Sequence, residues 1–161
     1  MSDKPLLYTV TTKSDKETGL VAQRLAEFLR VQDILTLNGP LGAGKTAFAR
    51  ALIRSLCDAE IDVPSPTFNL LLTYDCDRAP IFHYDFYRLE DPEEVWELDI
   101  EDAFHEGITL IEWVQRLEGL APEDVLSIVL SIPEGEQSET TRAISIYGGP
   151  EWGERLKKLA I

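Results

Sequence analysis

The sequence predicts a three-layer α/β fold, with helices on both sides of a mixed, mainly parallel β-sheet. Short apolar segments rich in β-branched residues alternate with segments of helical periodicity along the chain, which is the order that parallel sheets require. No internal repeat and no low-complexity linker interrupts this alternation. A chain of 161 residues is long enough for one domain with a substantial core, so residues 1–161 are predicted to form a single domain.

The individual elements are predicted from local composition. The predicted strands are 7–12, 33–38, 69–74, 80–87, 109–112, 124–132 and 142–147. The predicted helices run from residue 14 or 15 to about 30, from about 45 to 58, from 91 onward, and over 152–159. The third helix opens with Asp91 as its cap and Pro92 at its first position. Residues 63–68 cannot be helical because two prolines hold the backbone extended. The last two strands are expected to form a hairpin around residues 133–136.

Residues 39–46 read G-P-L-G-A-G-K-T and match the phosphate-binding loop pattern G-x-x-x-x-G-K-[ST]. The glycines let the backbone turn tightly and aim N–H groups at an anion, and the positive end of the next helix adds to this attraction. Lys45 can reach the β- and γ-phosphates of a nucleotide, and the Thr46 hydroxyl can bind Mg²⁺. An ordinary glycine-rich turn is the alternative, but the strand before and the helix after favour the P-loop. The residues expected to contact the nucleotide are Gly42, Ala43, Gly44, Lys45, Thr46 and Ala47.

Two carboxylates are predicted to complete a metal site. Asp85 ends one apolar strand and Glu112 ends another. Because the carboxyl ends of parallel strands meet at one edge of a sheet, both should face the P-loop. Magnesium prefers oxygen ligands and keeps several waters, so Thr46, Asp85 and Glu112 suffice as its protein ligands. Asp85 could instead cap the turn after its strand.

The segment Ser-Pro-Thr at residues 65–67 is the third predicted part of the site. P-loop switches place a hydroxyl that senses the γ-phosphate in a segment between the P-loop helix and the next acidic strand. Thr67 is therefore a candidate, with a plain proline turn as the alternative. With Lys45, Asp85 and Glu112 it completes the predicted catalytic residues.

The net charge of −14, from 15 basic and 29 acidic residues, indicates which partners the chain can bind. Affinity for nucleic acid comes largely from Lys and Arg at phosphates, so direct binding of DNA or RNA is not expected. A basic protein partner fits better. Residues 90–106 contain nine carboxylates and no Lys or Arg, and form either a solvated helical face or a docking surface.

The sequence also bears on the compartment. Cys57 and Cys76 have no second pair and no nearby His at metal-ligand spacing, so two reduced structural thiols are predicted. There is no apolar run long enough to cross a bilayer and no signal-peptide h-region at the N-terminus. A cytoplasmic protein without membrane contact is expected.

Five motifs in order resemble the TsaE family, formerly called YjeE. They are L-G-A-G-K-T at 41–46, S-P-T-F at 65–68, H-Y-D-F-Y-R-L at 83–89, D-P-E-E at 91–94 and I-E-W at 111–113. S-P-T-F followed by H-x-D-x-Y-R-L is not a general P-loop pattern, which makes the resemblance specific. The family consists of small bacterial ATPases needed to make threonylcarbamoyladenosine, the modification beside the anticodon of tRNAs that read codons beginning with A.

The resemblance implies ATP and Mg²⁺ as cofactors. It implies that Thr46 and Glu112 hold the metal, with Asp85 as the Walker B acid and Thr67 in a switch-like segment. The nucleotide base would bind near the start of the first helix, around Asp15. The implied partners are TsaD, which transfers the threonylcarbamoyl group, and its non-catalytic paralogue TsaB, with tRNA reached only through that complex.

Two other functions are compatible with a P-loop and a magnesium site. A small P-loop metabolite kinase also needs a P-loop and Mg²⁺, but it usually adds an Arg-rich lid, and residues 90–106 contain no Arg. The other is a nucleotide-gated binding module without significant turnover. Hydrolysis by the chain alone is expected to be slow, because Phe86 follows Asp85 where many fast ATPases place a Glu that orients water.

Overall fold

The computed structural model describes residues 4–58, 60–135 and 139–159. The strands are β1 (Leu6–Thr12), β2 (Ile34–Asn38), β3 (Leu71–Asp75), β4 (Pro80–Asp85), β5 (Ile108–Glu112), β6 (Leu126–Ser131) and β7 (Arg142–Tyr147). The α-helices are α1 (Asp15–Ala26), α2 (Lys45–Cys57), α3 (Ile100–Glu106) and α4 (Pro150–Arg155). Two 3₁₀ helices cover Pro92–Leu98 and Val114–Leu120. All seven predicted strands are present.

The strands form one sheet in the order β1-β7-β6-β2-β5-β4-β3. The central strands β6, β2, β5 and β4 pair in parallel. β7 and β3 are antiparallel to their central neighbours, and β1 is antiparallel to β7, so five of the seven strands run in one direction. This confirms the mixed, mainly parallel sheet and the antiparallel pairing of the last two predicted strands; the predicted turn at residues 133–136 lies partly outside the described residues. The carboxyl ends of β2, β4 and β5 therefore lie at one edge of the sheet.

Each face of the sheet carries its own apolar core, because successive side chains of a strand point to opposite faces. On one face α1 and α2 pack, with Leu25 and Phe48, over strand residues such as Leu110. On the other face α3 and the two 3₁₀ helices cover residues that include Tyr84 and Ile111. The three predicted layers are confirmed.

The helix ends differ from the predictions. α1 ends at Ala26, before the predicted end, where the backbone N–H groups of residues 27–29 donate to carbonyls three residues earlier. Beyond them the Asp33 carboxylate accepts the backbone N–H of Arg30 at 2.7 Å. The helix predicted from residue 91 is divided at Asp99, whose φ of 56° interrupts it. α4 begins at Pro150, since proline is favoured at the first helical position. In the parts of the chain that the structure describes, no helix is long and apolar enough to span a bilayer.

Cys57 and Cys76 form a disulfide, which corrects the prediction of two reduced thiols. Cys57 is the last residue of α2, and Cys76 directly follows β3. The fold brings their Cα atoms to 4.9 Å, a separation that a disulfide spans. Composition and compartment do not reveal that the end of α2 meets the end of β3.

Candidate nucleotide and magnesium site

A cavity of about 380 Å³ opens at the carboxyl edge of the sheet, between residues 39–46, the Thr67 segment and the end of β5. Its lining residues are Leu41, Gly42, Gly44, Lys45, Thr46, Ala47, Thr67, Asp85, Tyr87, Glu112 and Trp113. The structure thus brings together eight of the ten predicted site residues. Ala43 and Asp15 are the two that do not line it.

The loop 39–46 owes its shape to glycines with positive φ. Gly39 has a φ of 145°, and a Cβ there would clash with the carbonyl oxygen of Leu130. Gly44 has a φ of 99° and immediately precedes α2. Side chains other than glycine are strained in this region, so the loop conformation depends on these residue types. The first residues of the 13-residue helix α2 line the cavity, so its N-terminus faces the cavity.

Lys45 is nearly buried and is held against the loop. Its Nζ donates to the carbonyl oxygens of Gly39 at 2.5 Å and Pro40 at 3.1 Å. It also lies 4.2 Å from the centre of the Trp113 ring. Burial lowers the pKa of the Lys45 ammonium, while the carboxylates of Glu112 and Asp85 act in the opposite direction. A cation whose partners are neutral carbonyl oxygens can exchange them for charged phosphate oxygens.

The two predicted carboxylates are neighbours at the ends of β4 and β5, where Asp85 pairs with Glu112. The Thr46 hydroxyl donates to Glu112 Oε1 at 3.1 Å. The Thr67 hydroxyl donates to Asp85 Oδ2 at 2.7 Å. Asp85 Oδ1 accepts the backbone N–H of Tyr87 at 2.9 Å, so this residue also caps the turn after its strand. Both interpretations of Asp85 are therefore compatible with its geometry.

The donor set fits magnesium better than a metal held entirely by protein. Thr46, Asp85 and Glu112 offer one hydroxyl and two carboxylates, all oxygen ligands, beside a cavity that can admit phosphates and water. In the described ranges, no group of three or more His, Cys, Asp or Glu is arranged to hold a metal ion. An ion with few protein ligands and several other oxygens matches this arrangement.

The segment with Thr67 is not helical, as predicted. Residues 67–69 form a turn, and the backbone N–H of Leu70 donates to the Pro66 carbonyl at 2.7 Å. The hydroxyls of Ser65 and Thr67 are 2.8 Å apart. Phe68 beside them is 80% exposed. The segment therefore meets the cavity through the Thr67 hydroxyl and meets solvent through an aromatic ring.

Two residues in contact with the site were missed by the sequence argument. His83 is fully buried, and its Nε2 lies 2.7 Å from Glu112 Oε2. Its position two residues before Asp85 on a strand was the available signal, because it places both side chains on one face. Arg142 of β7 donates to the carbonyl oxygens of Ala43 at 2.9 Å and Gly42 at 3.3 Å. No local pattern connects Arg142 with a loop about a hundred residues earlier.

Ala43 and Asp15 lie apart from the cavity surface. Ala43 is fully buried, and its backbone N–H donates to the Pro40 carbonyl at 3.1 Å. Asp15 is the exposed first residue of α1, next to the helix cap Ser14. Contact of the nucleotide with either residue stays a prediction.

Comparison with known proteins identifies a family. A sequence model described as "Threonylcarbamoyl adenosine biosynthesis protein TsaE" matches residues 12–144. The tRNA threonylcarbamoyladenosine biosynthesis protein TsaE of Rickettsia conorii is 43% identical over 120 residues, which are 74% of this chain and 69% of that protein. The protein of the same name from Bacillus subtilis is 37% identical over 131 residues, 81% of each chain. The crystal structure of Bacillus subtilis YdiB matches with a TM-score of 0.77 at 27% identity, over 99% of this chain and 97% of that one.

Proposed function

This chain belongs to the TsaE family of threonylcarbamoyl adenosine biosynthesis proteins, and from that premise we propose that it binds and hydrolyses ATP with Mg²⁺ and acts with a TsaB–TsaD complex in modifying tRNA. The observation that carries the proposal is the cavity in which the P-loop, which ends at Thr46, faces Asp85 and Glu112. The same arrangement also suits a kinase, so the partner and the absence of a second substrate have to be tested.

Different residues of the chain would bind the phosphates and the magnesium ion. The loop 39–46 and the start of α2 provide N–H groups for the phosphates, and Lys45 provides the positive charge. Thr46, Asp85 and Glu112 would hold Mg²⁺, which neutralises charge on the β- and γ-phosphate oxygens when bound. Thr67 lies where a hydroxyl can respond to the γ-phosphate, because it already bonds to Asp85 at the cavity wall.

Turnover by the isolated chain is expected to be slow. Phe86, the residue after Asp85, is fully buried in the core on the other face of the sheet, so it cannot orient a water molecule. None of the cavity-lining residues that the structure describes is an arginine. P-loop enzymes without a positioned water or an arginine finger turn over about 10³–10⁵-fold more slowly than assisted ones. We propose that a partner raises the rate of turnover by completing the site or by ordering the Thr67 segment.

The charge distribution favours a protein partner over free tRNA. All nine carboxylates of residues 90–106 are exposed, and this acidic segment covers one 3₁₀ helix and α3. A polyanion would be repelled by it, whereas a basic protein surface would be attracted and steered toward it. We place this activity in the cytoplasm, with tRNA reached through the TsaB–TsaD complex.

Phosphate release from ATP tests the enzymatic part of the proposal. The assay is run with the chain alone, with candidate metabolites, and with TsaB and TsaD, and Lys45→Ala serves as the inactive control. We expect slow release alone, no effect of metabolites and faster release with the complex. A phosphorylated metabolite would indicate a kinase, and no release under any condition would indicate a binding module. Turnover on the order of ten per second by the chain alone, a typical enzyme rate, would contradict dependence on a partner.

Gel filtration with TsaB, TsaD, tRNA and each nucleotide tests the partnership. We expect binding to the complex that is tighter with ATP than with ADP, and no binding to free tRNA. Reversing two charges of the acidic segment (Glu97→Lys with Glu101→Lys) should slow association, most strongly at low salt. Reversing two exposed charges on α1 and α4 (Glu17→Lys with Glu154→Lys) is the matched control. Equal affinity with ATP and ADP would oppose the proposed switch.

A further inference from the structure

We propose that His83 is a positioning residue that holds the Glu112 carboxylate in the orientation needed to bind Mg²⁺. The inference rests on the proposed function, because it concerns the magnesium ion of that site. It assigns His83 a role through Glu112, with no direct contact to nucleotide or metal.

Side chains from one face of the sheet converge beneath the start of α2. His83 and Asp85 are two residues apart on β4, and Asp85 pairs with Glu112 of β5, so all three point to the same side. His83 Nε2 lies 2.7 Å from Glu112 Oε2, and the Thr46 hydroxyl donates to Oε1 at 3.1 Å. Each oxygen of this buried carboxylate therefore has its own donor. One donor belongs to the sheet and the other to α2.

The surroundings of His83 fix which nitrogen carries the hydrogen. A carboxylate can only accept, so Nε2 must be protonated. Nδ1 is buried and has no hydrogen-bond partner among the described residues. His83 therefore donates to Glu112 through Nε2.

The two donors to Glu112 respond differently to a bound metal. Thr46 is itself expected to bind Mg²⁺ through a lone pair of its hydroxyl oxygen, so that oxygen would be shared between the metal and the hydrogen bond to Oε1. His83 is fully buried, and its hydrogen bond to Oε2 is available in both states. It therefore keeps the carboxylate from rotating, with Oε1 left on the side of Thr46. Partners that orient a metal-binding carboxylate typically affect metal affinity by about 10–100-fold.

Calorimetric titration with ATP, in MgCl₂ and in EDTA, measures how many-fold magnesium strengthens binding. His83→Leu should lower this magnesium factor about 10–100-fold and leave the magnesium-free affinity unchanged. His83→Gln should preserve the factor, because its amide nitrogen reaches about as far as Nε2. His83→Asn is the matched control, since the same amide on a shorter side chain reaches only the position of Nδ1. It should behave like His83→Leu.

The outcomes separate the role of His83 from the proposed function. The inference is overturned if His83→Leu keeps the wild-type magnesium factor, if the Gln and Asn variants lose it equally, or if affinity falls equally with and without magnesium. If His83→Leu does not fold, as thermal melting will show, the Gln and Asn pair decides. A wild-type chain whose ATP affinity is insensitive to magnesium would instead contradict the proposed function.

Discussion

The two walls of the cavity are built in different ways. On the P-loop wall, residues 39–46 are contiguous and present mainly backbone groups, with Lys45 as the one charged side chain of the motif. On the carboxylate wall, Thr67, Asp85 and Glu112 come from separate segments; the Thr67 hydroxyl donates to Asp85, and Glu112 accepts from Thr46 at the end of the P-loop. The first wall is encoded locally by glycines and a lysine. The second depends on the sheet register and on buried partners, so substitutions should affect the two walls differently.

Lys45→Ala should have the largest effect and act on the P-loop wall alone. The ammonium group can make charge-assisted hydrogen bonds to two phosphates, and their loss should cost about 4 kcal/mol, on the order of 1000-fold in ATP affinity. Titration calorimetry in EDTA measures this loss without the contribution of magnesium. Thermal melting should change little, because burial already lowers the pKa of the Lys45 ammonium and disfavours its charge.

An unchanged ATP affinity in Lys45→Ala would remove the P-loop interpretation altogether. Glu112→Ala provides the contrast across the cavity, and Thr46→Ala removes the hydroxyl that donates to Glu112 from the end of the P-loop. They should reduce chiefly the magnesium-dependent part of binding and leave most of the affinity in EDTA. If all three variants lost affinity in the same proportion in both buffers, the two walls would not make separate contributions to ATP binding.

The difference between the walls also explains what could be predicted from the sequence. The P-loop follows from eight consecutive residues, and Asp85 and Glu112 follow from the rule that parallel strands end at one edge. His83 and Arg142 were missed because their partners lie 29 and about 99 residues away in the chain. The order of the strands in the sheet decides such contacts, and local composition does not contain that order.

The disulfide between Cys57 and Cys76 should stabilise the carboxylate wall more than the P-loop wall. It closes a loop of 19 residues that contains the Thr67 segment. Changing both cysteines to Ser should lower the free energy of unfolding by about 3 kcal/mol, the value expected for a loop of this length. Urea unfolding measures the change. Magnesium-free ATP affinity should remain at the wild-type value, since α2 and its loop keep their own contacts; a large loss there would link the two walls.

Arg142→Ala should weaken the P-loop wall by a smaller amount. The guanidinium group bonds to the carbonyls of Gly42 and Ala43 from outside the cavity. Losing this support should reduce ATP affinity about tenfold, or about 1.4 kcal/mol, in EDTA and in MgCl₂ alike. Arg142→Lys keeps the charge but not the planar fork, so it should recover only part of the affinity. A loss of affinity confined to the magnesium buffer would show that Arg142 supports the carboxylate wall and not the P-loop wall.

Thr67→Val should have the smallest effect, and this effect should be limited to the carboxylate wall. Valine has nearly the same size as threonine but cannot donate to Asp85 Oδ2, where the bond is 2.7 Å. Because the residue is partly exposed, we expect a loss of about 1 kcal/mol in unfolding free energy. Hydrogen exchange should become faster at the amides of Ser65 and of residues 67–70, whereas those of residues 42–48 should keep their wild-type rates. Thr67→Ser retains the hydroxyl and serves as the control. Faster exchange in both segments would mean that the walls move together, and that the hydrogen bonds of the carboxylate wall also hold the P-loop in place.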